Sequence, residues 1–120
     1  MAKRIKKAFF VGIGGAGMSA LARFFISLGI EVSGSDTSFG SFLEALKIEG
    51  VKIFEGQDEK FVPKDVDMIV YSAAVEDKNP DFINFLKKLK ISVLEYHQAL
   101  GEISKDFKTV AVAGTHGKTT

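Results

Sequence analysis

The sequence predicts an α/β fold, an open, mostly parallel five-stranded sheet with helices on both faces. Apolar runs of strand length alternate with stretches whose apolar residues recur every three or four positions, the order from which βαβ units and parallel sheets are built. The first run, KAFFVGI (Lys7–Ile13), is apolar almost throughout, as a strand covered on both faces must be. Turn signals at Gly29, Gly50 and Asn79-Pro80 fall between the runs and not within them.

After the opening strand, Met18, Leu21, Ala22, Phe25 and Leu28 lie at helical spacing, and Gly29 is placed to end that helix. EVSGSD is a short second strand ending at Asp36. Phe39, Phe42, Leu43 and Leu46 mark a second helix, stopped by Gly50, and Val51–Phe54 is the third strand. Val66–Tyr71 is the fourth, followed by a turn in EDKNP with Asn79 as N-cap and Pro80 at the first helical position. Phe82, Phe85, Leu86 and Leu89 form the buried stripe of the next helix. Ile91–Leu94 is the fifth strand and leads into a helix over Tyr96–Ile103. Polar Ser104–Lys108 reads as a linker, and TVAVAG (Thr109–Gly114) as a further strand running into THGKTT. A strand and loop with no covering helix imply that these 120 residues are the front of a longer polypeptide.

Composition narrows the function. Lys and Arg number 16 against 15 Asp and Glu, so no charge excess points to nucleic acid or an anionic membrane. Glycines interrupt the apolar segment near the amino terminus, and its longest unbroken run, Ala8–Val11, is too short for a signal sequence or a membrane span. Lys3–Lys7 is a solvated lead-in. The absence of cysteine excludes disulfides and thiolate sites and fits an intracellular address. No metal-ligand spacing is present.

Gly12, Gly14 and Gly17 satisfy G-x-G-x-x-G directly after a strand and at the opening of a helix, and Gly15 adds another position without a side chain. Such a Rossmann-like loop lets the backbone approach phosphate oxygens, while the N–H groups and dipole of the helix N-terminus favour their charge. On this reading a side chain at Gly14 would stand where phosphate must approach. Asp36, at the end of the second strand, is placed to accept hydrogen bonds from ribose hydroxyls or to serve as a turn residue. Ser72 and Asn79 follow the fourth strand at the carboxyl edge of the sheet, as ligand contacts or as caps. Glu95, Tyr96 and His97 read as an acid–base cluster or as the start of a surface helix.

GTHGKTT (Gly114–Thr120) holds the Gly-Lys-Thr of a phosphate-binding loop, with Lys118 as point charge and Thr119 as a magnesium-ligand hydroxyl. Val112 stands where the full motif has its first glycine, leaving Gly114 as the usable one. His116 is a catalytic or metal-binding candidate, or a loop residue without a role.

In their order and spacing, FVGIGGAGMSALA, VSGSD, YSAAV followed by NP, and VAVAGTHGKTT resemble the Mur ligases of bacterial cell-wall synthesis, and among them the branch that joins L-alanine to UDP-N-acetylmuramate. The resemblance covers essentially the whole chain. It implies a cytoplasmic three-domain enzyme that forms an amide through an ATP-derived acyl phosphate. Residues 1–103 would be the UDP-sugar-binding domain, 104–108 a linker, and 109–120 the first strand and truncated phosphate loop of the ATPase domain. Gly14, Gly15, Ala16 and Gly17 would present N–H groups to the UDP diphosphate, with Ser19 and Asp36 nearby and Ser72 and Ala73 lining the same cleft. Gly114, Thr115, His116, Gly117, Lys118, Thr119 and Thr120 would serve ATP, Lys118 and Thr119 being the catalytic pair and Thr119 the magnesium ligand. Members of this branch often carry an arginine and Ala-Glu near Glu95–Leu100, where this chain has Tyr96, His97 and Gln98. The fragment should bind substrate without catalysing, and needs no cofactor to fold. The alternatives are an NAD-binding domain of an oxidoreductase or redox sensor, which accounts for the glycine loop and Asp36 but not for GTHGKTT, and a non-catalytic nucleotide-sensing module.

Overall fold

A computed structural model describes residues 5–37 and 41–114. The sheet has five strands, β1 (Lys7–Val11), β2 (Glu31–Asp36), β3 (Lys52–Glu55), β4 (Met68–Tyr71) and β5 (Ser92–Glu95), in the order β3-β2-β1-β4-β5. Every pairing is parallel: Val11 lies opposite Ser35 on one side and Tyr71 on the other. The four-residue strands β3 and β5 form the edges. The helices are α1 (Ala16–Ser27), α2 (Ser41–Ile48), α3 (Ala73–Lys78), α4 (Pro80–Lys87) and α5 (Tyr96–Gly114).

Side-chain alternation along β1 explains its unbroken apolar run. Ala8 and Phe10 enter one core with Met18, Leu21, Ala22 and Phe25 of α1, Leu43 and Leu46 of α2, and Ala99 and Ile103 of α5. Phe9 and Val11 enter a second core with Ile69, Tyr71, and Phe82, Ile83 and Leu86 of α4. Successive strand residues point to opposite faces, so a strand with helices over both must be apolar at consecutive positions. Phe10 packs edge-on against Phe25, with ring centroids 5.2 Å apart and planes at 79°. Gly29 closes α1 at φ +87°, a conformation that side-chain-bearing residues rarely adopt.

The connections β1–α1–β2 and β2–α2–β3 run over the first core, whereas β4–α3–α4–β5 runs over the second. The direction of winding therefore reverses between β1 and β4, the place where parallel sheets of this kind offer a ligand crevice beyond the carboxyl ends of the strands.

Two segments differ from the sequence expectation. EDKNP (Glu76–Pro80), expected as a turn, instead begins inside the six-residue helix α3, which is capped by Ser72 and abuts α4 at Asn79. Residues 104–108, expected as a linker, and Thr109–Gly114, expected as a strand, instead continue α5. An apolar, β-branched run becomes a strand only by pairing with a neighbour, and among the described residues no sixth strand lies alongside it. The helix satisfies those backbone groups locally instead.

Among the described residues no helix is long and apolar enough to cross a membrane, and no group of His, Asp or Glu is arranged to hold a metal ion.

Candidate functional site

The crevice is bounded by the loop after β1, the end of β2, the start of α3 after β4, and the start of α5 after β5. Gly15 is the N-cap of α1, and it provides no side-chain cap; the first turn also contains no acidic residue. In helical geometry the leading N–H groups, here those of Ala16, Gly17 and Met18, have no intrahelical acceptor. The amino-terminal end of this 12-residue helix thus has no side-chain cap of its own.

The glycines hold this end in place by different contacts. Gly12 has φ +87°, and a Cβ there would lie 2.7 Å from Ser72 Oγ and 2.9 Å from Val75 Cγ2, so the β1 and β4 loops are packed against each other through its bare backbone. A Cβ on Gly14 would meet Asp36 Oδ2 at 2.9 Å and Leu43 at 3.0 Å. At Gly17 it would meet the Tyr96 hydroxyl at 2.8 Å. Only Gly15 opens outward: its nearest such contacts are 3.9 and 4.0 Å away, and its φ of −68° and ψ of 155° suit any residue.

Asp36 is 9% exposed, and its Oδ2 accepts a hydrogen bond from Gly14 N–H at 2.7 Å. Ser35 fixes the preceding turn, its carbonyl accepting from the N–H groups of Gly12 and Ile13. These contacts correct two expectations. The Gly14 N–H is committed to Asp36 and is not presented to a ligand, and the space beside Gly14 is filled by protein, not held open for phosphate. Gly15 N–H points back to the Gly12 carbonyl at 3.4 Å. The donors that remain lie one residue later, at Ala16 to Met18.

Ser19 is buried, and its hydroxyl donates to the Ala16 carbonyl at 3.1 Å, bracing the first turn from beneath. Ser72 Oγ accepts from Val75 N–H at 3.3 Å as the N-cap of α3, which leaves its O–H proton to donate elsewhere. Ala73, the first residue of α3, is exposed beside it. Asn79 is a cap, its Oδ1 accepting from Phe82 N–H at 3.4 Å.

At the start of α5, Glu95 accepts from the His97 N–H at 2.8 Å and pairs with His97 Nδ1 at 3.0 Å, while Gln98 Oε1 accepts from Glu95 N–H at 3.0 Å. The bonds turn the chain from β5 into α5, so the cluster acts as a helix start. Sequence reading missed the approach of Tyr96 to Gly17. Its signal was available: a residue directly after a parallel strand lies at the ligand-binding edge of such a sheet.

Gly114 is the last residue of α5, and Thr115, His116, Gly117, Lys118, Thr119 and Thr120 lie outside the described residues.

The family model described as Mur ligase family, catalytic domain matches residues 7–108. The chain belongs to the Mur ligase family. A relative from Clostridium kluyveri (strain ATCC 8527 / DSM 555 / NBRC 12016 / NCIMB 10680 / K1), named UDP-N-acetylmuramate--L-alanine ligase, is 42% identical over 116 residues, which is 96% of this chain and 25% of the relative. A protein of the same name from Acetivibrio thermocellus is 44% identical over 118 residues, 98% of this chain and 25% of its own length. Among solved structures, the UDP-N-acetylmuramate-alanine ligase MurC of Thermotoga maritima matches with a TM-score of 0.74 and 28% identity, over 86% of this chain and 23% of that one. The Mur ligase fragment thus spans about a quarter of the length of the curated relatives it matches. Its parallel α/β sheet is the fold shared with the Thermotoga structure. The relationship does not favour the nicotinamide and sensing-module alternatives.

Proposed function

We propose that the chain is the amino-terminal substrate-binding part of a cytoplasmic UDP-N-acetylmuramate:L-alanine ligase, and that it holds the UDP portion of UDP-N-acetylmuramate in the crevice between β1 and β4. The observation that carries this reading is the uncapped first turn of α1 at the point where the winding reverses, in a chain whose relatives bear that enzyme name. A diphosphate supplies the compact negative charge that such a turn favours.

In this assignment the N–H groups of Ala16, Gly17 and Met18 donate to phosphate oxygens, and Gly15 gives the phosphate room to reach them. Asp36 and Ser19 act on the ligand indirectly, one by tethering Gly14 and the other by bracing Ala16. Ser72 and Ala73 form the opposite wall. None of these groups is a nucleophile or general base aimed at a reacting carboxylate, so this crevice binds and orients, and chemistry belongs elsewhere in the enzyme.

In the whole polypeptide, residues 104–108, as part of α5, would lead out of this domain, and 109–120 would open the ATPase domain. Gly114 to Thr120 would bind ATP, with the Lys118 ammonium on its phosphates and the Thr119 hydroxyl on magnesium; a cation and a small hydroxyl fit those roles chemically. The lactyl carboxylate would be activated as an acyl phosphate and captured by the amine of L-alanine.

Calorimetric titration of the chain with UDP-N-acetylmuramate and, separately, NADH tests the reading. Saturable binding of the UDP-sugar with no response to NADH is expected. Tight NADH binding without a response to the UDP-sugar would overturn it.

A further inference from the structure

We infer that Tyr96 is a ligand contact of the same crevice, its phenol hydroxyl donating a hydrogen bond to a phosphate oxygen held at the first turn of α1. The inference rests on the diphosphate reading above.

Tyr96 follows β5 directly and is the first residue of α5, so it stands at the carboxyl edge of the sheet beside the end of β4. From there the side chain reaches across to α1. A Cβ on Gly17 would lie 2.8 Å from the Tyr96 hydroxyl oxygen, 2.9 Å from Cζ and 3.3 Å from Cε1. The hydroxyl end of the ring therefore rests on the bare backbone of the turn whose N–H groups are free to receive an anion. The last glycine of the motif makes room for this phenol, and any side chain there would push the ring away.

The ring is also held in position. It packs against the core formed by α1 and α5 and meets the His97 ring edge-on, with centroids 4.9 Å apart at 78°. The bonds among Glu95, His97 and Gln98 fix the turn from which it projects. Among the described residues its hydroxyl has no hydrogen-bond partner, although it sits beside the uncapped first turn of α1. A phosphate oxygen placed on those donors is an acceptor for the phenol O–H as well. The hydroxyl would then add a side-chain donor to a site otherwise made of backbone.

The test compares the chain with its Tyr96→Phe variant, which keeps the ring and removes only the hydroxyl. Affinities for UDP-N-acetylmuramate, UDP and uridine are measured, together with the melting temperature without ligand. Loss of a hydrogen bond to a charged acceptor should weaken both diphosphates about tenfold or more. Uridine affinity and the unliganded melting temperature should not change. Unchanged diphosphate affinity, or an equal loss for uridine and UDP, overturns the contact and leaves Tyr96 a packing role. If the unsubstituted chain fails to bind UDP, the diphosphate reading itself fails and this inference with it; normal binding by the unsubstituted chain with an unaffected variant defeats this inference alone.

Discussion

Replacing Gly15 and Gly14 separately by alanine distinguishes a glycine that admits a ligand from one that admits protein. At Gly15 the backbone conformation suits alanine, and the new methyl finds nothing closer than 3.9 Å. Two small effects on stability oppose each other. Alanine lowers the entropy of the unfolded chain, worth about 0.4–1 kcal/mol, but is a poorer N-cap than glycine by up to roughly 1 kcal/mol. The net change in melting temperature should be within a few degrees of zero. At Gly14 the methyl would meet Asp36 Oδ2 at 2.9 Å and Leu43 at 3.0 Å, and it would disturb the 2.7 Å bond from Gly14 N–H. Crowding of this kind costs about 1–3 kcal/mol, and each kcal/mol lowers the melting temperature of a small domain by about 4–8 °C. Thermal unfolding followed by calorimetry with UDP-N-acetylmuramate should therefore show Gly15→Ala folded normally but bound at least about tenfold more weakly, a loss of ~1.4 kcal/mol. Gly14→Ala should be clearly less stable. A Gly15→Ala protein that binds like the original would refute the assignment of that face to phosphate. A Gly14→Ala protein that melts like the original would refute the packing argument.

Asp36→Ala should destabilise the chain by about 2 kcal/mol by stripping a charged acceptor from the partly buried Gly14 N–H, and Asp36→Asn by less, as read from denaturant unfolding. Phe10→Ala, which empties a fully buried site against Phe25, should cost about 3–5 kcal/mol in the same assay. The Asp65 carboxylate is held below its ordinary pKa of 3.8 by the hydrogen bond from the Lys7 ammonium. A lowered folded-state value stabilises above the unfolded value and is lost as pH falls through the lowered one. Asp65→Asn should therefore flatten slightly the acid end of the stability profile below about pH 4, an effect kept small by exposure.

Much of the scaffold was legible because local pattern and tertiary demand agree. The apolar run at Phe9–Val11 is a doubly covered strand, the Met18–Phe25 stripe is the buried face of α1, and Asn79-Pro80 starts α4. Helix α3 was not legible, because six residues are too few to show a period and Asp77, Asn79 and Pro80 signal a turn. In residues 104–114 polar and β-branched composition suggested a linker and a strand, but strand formation depends on a partner that sequence does not display. The position of the crevice followed from G-x-G-x-x-G after a strand. The separate duties of its glycines did not, since they depend on Ser72, Asp36, Leu43 and Tyr96 arriving from distant parts of the chain.

The two outer strands carry a consequence for how this chain meets others of its kind. Lys52–Glu55 and Ser92–Glu95 are only four residues long, and the first sets a solvent-facing ammonium and carboxylate at its two ends. A short border with charges at both ends, as at β3, discourages another molecule from extending the sheet by strand addition. Strand addition at the β3 border is thus disfavoured, which leaves the carboxyl end of the sheet, with the uncapped turn of α1, as the face suited to a ligand.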